Sequence, residues 1–313
     1  MNSNSTRLTH RRRPFLAAAL LVLAMLGSAV IAQALPANAQ DAVNRGEALM
    51  AEALTTYDAQ YPDKPLWQAA FREGRTAVSL APGNPAALRF LAEAYSRSNW
   101  PGPAVRTWEQ YAAAGGTFDE EAAELYGRDA NENAYAAYQQ GDKAGAAEMY
   151  LQVTKVLPAN LEAHRWLGRI LLELRRPEQA VVAWRNYLEL DPTDKGAQYF
   201  LSLAQAQARW GVDAANDFFS GIEAYESGNM TAARTSFASA TVRNADYPEA
   251  WAWLGRVAFE QGNYEDAFTS YSRASALQPD NTTYSWFKKE SQRLMSGGEP
   301  DPAGAPAVDG SAG

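Results

Sequence analysis

The chain is built on a 34-residue internal repeat, and a period of that length restricts it to stacked supersecondary units. Six units begin at 51, 85, 127, 161, 214 and 248, so their starts fall 34 apart within each of three pairs. The clearest copy runs from Pro248 to Asn281 and the next clearest from Leu161 to Asp194. Counting places within a unit, place 20 is alanine in all six: Ala70, Ala104, Ala146, Ala180, Ala233 and Ala267. Place 24 is aromatic in five, as Trp108, Tyr150, Trp184, Phe237 and Tyr271. Place 8 is Gly or Ala in five units and place 32 is Pro in four.

These places have a physical reading as two antiparallel helices per unit. Small residues at places 8 and 20 let the helix backbones approach, with place 8 expected to face place 20. The aromatic at place 24 is expected to fill the gap to the next unit. Proline at place 32 ends the second helix, because the residue before it is pushed out of the helical region. The signature Leu167-Gly168, Ala180, Trp184, Tyr187, Pro192, repeated as Leu254-Gly255, Ala267, Tyr271, Ala274, Pro279, resembles a tetratricopeptide repeat. That resemblance implies an all-α fold, a right-handed superhelical solenoid of helix-turn-helix repeats.

The sequence predicts six repeats in three pairs, near 51–84, 85–118, 127–160, 161–194, 214–247 and 248–281, within a solenoid over 40–296. The segments 119–125 and 195–211 join the pairs. The second carries Tyr199, Phe200, Leu203, Ala206 and Trp210 at helical spacing, which predicts an extra helix. The first unit is degenerate, with Tyr61-Pro62-Asp63-Lys64-Pro65 lengthening the turn before its second helix. Tyr284, Trp286, Phe287 and Leu294 predict a capping helix over 282–296.

Residues 1–39 read as a signal peptide. Arg7, Arg11, Arg12 and Arg13 precede the apolar run Phe15–Ala32, and Ala37-Asn38-Ala39 offers a cleavage site. The string Arg12-Arg13-Pro14-Phe15-Leu16 also resembles a twin-arginine motif. The expectation is an exported protein, periplasmic or extracellular; if uncleaved, the same segment anchors it to the inner membrane, the only membrane association expected. Residues 297–313, rich in Gly, Pro and Ala, are expected to form a disordered tail.

Composition narrows the chemistry. Setting aside the four leader arginines leaves 24 basic residues against 36 acids, a net charge of −12, which opposes binding to a nucleic-acid backbone. The chain has no cysteine, and His164 is the one histidine beyond the leader. Disulfides, thiolate metal sites and multi-histidine metal sites are thereby excluded, and no cofactor is expected. No glycine-rich phosphate loop, metalloprotease helix or nucleophile elbow is present, so the protein is read as no enzyme.

The resemblance also points to a binding surface. In such repeats places 2, 5, 9, 12 and 13 line the concave groove, and here they supply Tyr135, Tyr138, Arg165, Arg169, Phe218, Tyr225, Arg256 and Phe259 as groove residues. Arginines among aromatics suit an acidic or carboxylate-ended peptide through forked hydrogen bonds and stacking. Arg165 and Arg169 could equally solvate a helix face beside Glu162 and Glu173. The lysine and asparagines with which some tetratricopeptide-repeat proteins grip a peptide C-terminus are replaced here by Arg165, Arg169 and Arg256. His164 is expected to pack between helices, because its counterparts Leu88 and Trp251 are apolar. The function expected is a non-catalytic interaction scaffold of the cell envelope that holds a protein or peptide partner, with self-association possible. The rival is a polysaccharide- or peptidoglycan-associated accessory protein stacking sugar on Trp100 or Trp210.

Overall fold

The computed structural model describes residues 34–301, and within them are fourteen α-helices. In chain order they are α1 (Ala37–Thr56), α2 (Pro65–Leu80), α3 (Pro85–Arg97), α4 (Pro101–Ala113), α5 (Glu120–Gln139), α6 (Lys143–Val156) and α7 (Leu161–Glu173). They continue with α8 (Pro177–Leu190), α9 (Lys195–Trp210), α10 (Val212–Glu226), α11 (Met230–Arg243), α12 (Pro248–Glu260), α13 (Tyr264–Leu277) and α14 (Thr282–Met295). Successive helices pack on one another as helix-turn-helix pairs, the arrangement of an all-α, right-handed tetratricopeptide-repeat solenoid. Most of the expected leader (1–33) and of the expected tail (302–313) lies outside the described residues.

Local chemistry sets the helix ends. Asn84, Asp119, Asp142, Asn160, Asp194, Asn229, Asn263 and Asn281 each accept a hydrogen bond from a backbone N–H of the first turn. Proline opens α2, α3, α4, α8 and α12, where its missing N–H costs nothing. In the five units after the first, the turn passes through a left-handed residue at place 15: Asn99, Gly141, Arg175, Gly228 and Gly262, with φ of 56°, 87°, 57°, 78° and 74°. Three of the five are glycine, the residue that adopts this conformation without a Cβ clash.

The small residue at place 8 lies against an aromatic ring. A Cβ on Gly168 would lie 2.6 Å from Trp184, on Gly221 2.5 Å from Phe237, and on Gly255 2.8 Å from Tyr271. Place 8 therefore accommodates the place-24 ring of its own unit. The alanines at place 20 are fully buried, from Ala70 to Ala267.

The same ring carries the stack forward. Tyr150 lies parallel to Trp166 at 6.2 Å and 8°, Trp184 to Phe200 at 5.0 Å and 11°, Phe237 to Trp253 at 5.6 Å and 23°, and Tyr271 to Phe287 at 4.9 Å and 10°. In each case the partner is the sixth residue of the following helix. Helix α9 thus covers the fourth unit as α14 covers the sixth, each as a lone first helix. Beyond α9 a new stack starts: Trp210 lies on Tyr247 at 5.0 Å, and the second core gathers around Phe218, Phe237 and Tyr247.

One sequence expectation needs correction here, while the lengthened turn of the first unit is as expected. Residues 119–125 do not link modules: Asp119 caps α5, and Glu120 and Glu121 occupy its first turn, where their charge favours the helix dipole. The first helix of the first unit, α1, ends at Thr56, so an eight-residue segment, Tyr57–Lys64, separates it from α2. The segment Ala37-Asn38-Ala39 forms the first turn of α1, with Ala39 buried.

Candidate functional site

Most of the predicted groove residues fall into two clusters on first helices. In the earlier one, α5 presents Tyr135 and Tyr138, and α7 presents Trp166 between them at 5.0 and 5.3 Å. Trp166 is held from beneath by Tyr150, while Arg169, one turn along α7, places its guanidinium 5.1 Å from the indole centre. Tyr138 Oη donates to Glu173 Oε1 at 2.9 Å, and Lys143 Nζ meets Glu173 Oε2 at 2.8 Å. Burial pushes the Glu173 carboxyl up, but the hydrogen bonds from Lys143 and Tyr138 outweigh it and hold the group below its ordinary value.

Arg165 and Arg169 are both exposed, and among the described residues neither makes a hydrogen bond or an ion pair. Arg169 stands over Trp166, which packs on Tyr135, itself 39% exposed, while the charge of Arg165 acts on Tyr187 and Asp194. The charge of the two arginines is conspicuous on so acidic a chain. A flat cation over an aromatic face is worth about 0.5–1 kcal/mol where water has access, and that contact pre-orients Arg169.

The later cluster repeats this arrangement 87 residues on. Tyr225 Oη donates to Glu260 Oε1 at 2.6 Å, and Trp253 meets Tyr225 at 5.0 Å. Arg256 lies 5.2 Å from the Trp253 ring and 5.3 Å from that of Tyr225. Here the arginine is engaged, with Arg256 Nε 3.0 Å from Glu260 Oε1 and donating to Tyr225 Oη at 3.0 Å. Burial and the bond to Glu260 both raise the Tyr225 phenol above its ordinary value.

One predicted groove residue is not available to a ligand. Phe218 is 1% exposed, closed in by Phe237 and Tyr247 at ring distances of 5.7 and 4.9 Å, and belongs to the core. Phe259 is half-buried and packs edge-on to Phe287 of α14 at 5.3 Å. The residues missed were Trp166, Trp253, Glu173, Glu260 and Lys143. Aligning places 6, 12, 13 and 17 between units would have found them, since the pairs 166/253, 138/225, 173/260 and 143/230 are equally spaced.

Other candidates resolve simply. His164 is 4% exposed between helices, its Nε2 2.9 Å from the Pro158 carbonyl oxygen. Trp108 and Trp184 are core residues at 0% and 1% exposure. Trp100 is 37% exposed but packs against Phe71 and Tyr95, and Trp210 lies between Tyr247 and the Arg209 guanidinium. Among the described residues no cluster of three acids or histidines could hold a metal ion, and no helix is long and apolar enough to cross a membrane.

The tetratricopeptide-repeat family model matches residues 131–195 and 220–282, the stretches that carry the two clusters. No curated protein matches the chain. Among solved structures, MamA is similar at 21% identity over 52% of this chain and 84% of that one, with a TM-score of 0.24. YrrB, a tetratricopeptide-repeat protein with an unusual peptide-binding site, is similar at 17% identity over 69% of this chain and 97% of that one, TM-score 0.28. PilF of Pseudomonas aeruginosa is similar at 15% identity over 80% and 99%, TM-score 0.29. The helix pairing, the place-24 stacks and the matched segments together show that this chain has the fold of a tetratricopeptide-repeat protein.

Proposed function

We propose that the protein is a non-catalytic scaffold that holds an acidic or carboxylate-ended peptide segment of a partner protein against α5 and α7. The observation that supports this reading most directly is the pair of exposed guanidinium groups one turn apart on α7, Arg165 and Arg169, neither in an ion pair, with Arg169 over the half-buried Trp166 that packs on the exposed Tyr135. Arginine can fork two hydrogen bonds to a carboxylate while its plane rests on an aromatic ring, and both features stand ready here. The basic, apolar leader and its small-residue site, read from the sequence, support export to the periplasm or beyond. In that setting the scaffold would assemble an envelope complex.

The test is a titration of a fluorescein-labelled hexaglutamate peptide, read by anisotropy, with hexaglutamine as the uncharged control. Hexaglutamate is expected to bind and hexaglutamine not, with affinity falling as salt rises, because the attraction is between exposed charges. Arg165→Glu/Arg169→Glu is expected to weaken binding at least tenfold. Equal binding of both peptides, or an unaffected variant, would contradict the proposal. The sugar-stacking reading has less support, since Trp100 and Trp210 are both engaged with neighbouring side chains.

A further inference from the structure

The two clusters share a tyrosine, a tryptophan, an arginine and a glutamate but not the state of the arginine, and Arg165 and Tyr135 of the first have Ala252 and Ile222 as counterparts in the second. Arg169 and Glu173 stand four apart on α7, as Arg256 and Glu260 do on α12. Arg256 and Glu260 are paired at 3.0 Å; Arg169 and Glu173 are not. The tyrosine is the same in both, as Tyr138 and Tyr225 bond the glutamate alike. What differs at the glutamate is the first residue of the following helix in the unit before. It is Lys143 at the start of α6 and Met230 at the start of α11. Lys143 holds Glu173 at 2.8 Å, whereas a thioether offers the Glu260 carboxylate nothing, and Glu260 turns to its own arginine.

We propose that Lys143 is the specificity-determining residue that keeps the first cluster open to a ligand carboxylate, by drawing Glu173 away from Arg169. In the second cluster Glu260 occupies Arg256 as a built-in stand-in for such a carboxylate, so that cluster is closed to acidic ligands. This rests on the acidic-peptide reading above for its consequence, but the side-chain pairing itself does not. The two sites draw on separate hydrophobic cores, with α9 packed between α8 and α10.

The pairing is exposed, with side-chain exposures of 45% for Lys143 and 32% for Glu173, so its effect is modest. Exposed ion pairs contribute up to about 1 kcal/mol, which corresponds to about fivefold in affinity. In the full-length protein, Lys143→Met is expected to weaken hexaglutamate binding about three- to fivefold. Loss of a positive charge alone would do the same, so the deciding variant is Lys143→Met/Glu173→Gln. With no carboxylate left to close on Arg169, that variant is expected to recover the wild-type affinity. Met230→Lys is expected to free Arg256 from Glu260 without adding a second hexaglutamate site, because Ala252 and Ile222 stand where the first cluster has Arg165 and Tyr135.

Arginine side-chain Nε–Hε spectra read the pairing without any ligand. The Arg169 signal is expected to shift in Lys143→Met and return in the double variant, and the Arg256 signal to move the opposite way in Met230→Lys. An Arg169 signal unmoved by Lys143→Met overturns the proposal, as does a double variant that binds no better than Lys143→Met. Signals that respond as expected while hexaglutamate fails to bind wild type would uphold the role of Lys143 and sink the acidic-peptide reading instead.

Discussion

At the scale of single residues, the most informative position is place 15, where the chain reverses within each unit. Glycine there costs nothing, but Arg175 holds φ of 57° with a Cβ in place. A non-glycine residue in the left-handed region carries about 1–2 kcal/mol of steric cost. Arg175 also pairs with Asp213 at 2.9 Å, with both side chains more than half exposed, so that contact offsets little. Arg175→Ala loses the ion pair and keeps the strain, whereas Arg175→Gly loses both. Urea melts are expected to find the glycine variant more stable than the alanine variant by about 1 kcal/mol. Equal stabilities would mean that the turn imposes no strain. The glycines at 141, 228 and 262 make this turn legible in the sequence; Arg175 and Asn99 hide it in the other two units.

At the scale of helices, the place-24 ring and the sixth residue of the next helix form the joint from which the stack is made. The alanines and aromatics of the repeat were readable because both must recur in every unit. The joint itself was half readable: filling of the gap to the next unit was expected, but the seat that the small residue at place 8 gives to the place-24 ring of its own unit shows only in the geometry. The extra helix α9 was visible from Tyr199, Phe200 and Trp210, yet its likeness to α14 emerges only when Phe200 and Phe287 prove to sit on Trp184 and Tyr271 in the same way. Removing such a ring leaves a cavity costing about 3–5 kcal/mol. Phe287→Ala is therefore expected to speed amide exchange in α12 and α13 while leaving α5 to α8 unchanged, since each repeat contacts only its neighbours. Exchange that accelerates uniformly from α1 to α14 would show that the stack unfolds as one cooperative body.

At the scale of the molecule, an acidic chain carries one surface where two exposed arginines stand without an ion pair, one of them over an aromatic ring. Charge and repeat frame made Arg165, Arg169, Tyr135 and Tyr138 legible as a candidate surface. Phe218 was misassigned, because Phe237 and Tyr247 of its own unit close over it. The two clusters draw on different hydrophobic cores, and the first alone of the two has a pair of arginines without an ion-pair partner, so ligand binding is assigned to α5 and α7. The most direct test is amide exchange on the full-length protein with and without saturating hexaglutamate. Protection confined to α5 and α7, absent in Arg165→Glu/Arg169→Glu, is the predicted result. Protection on the outer helices α6 and α8, or on α10 and α12, would contradict the account.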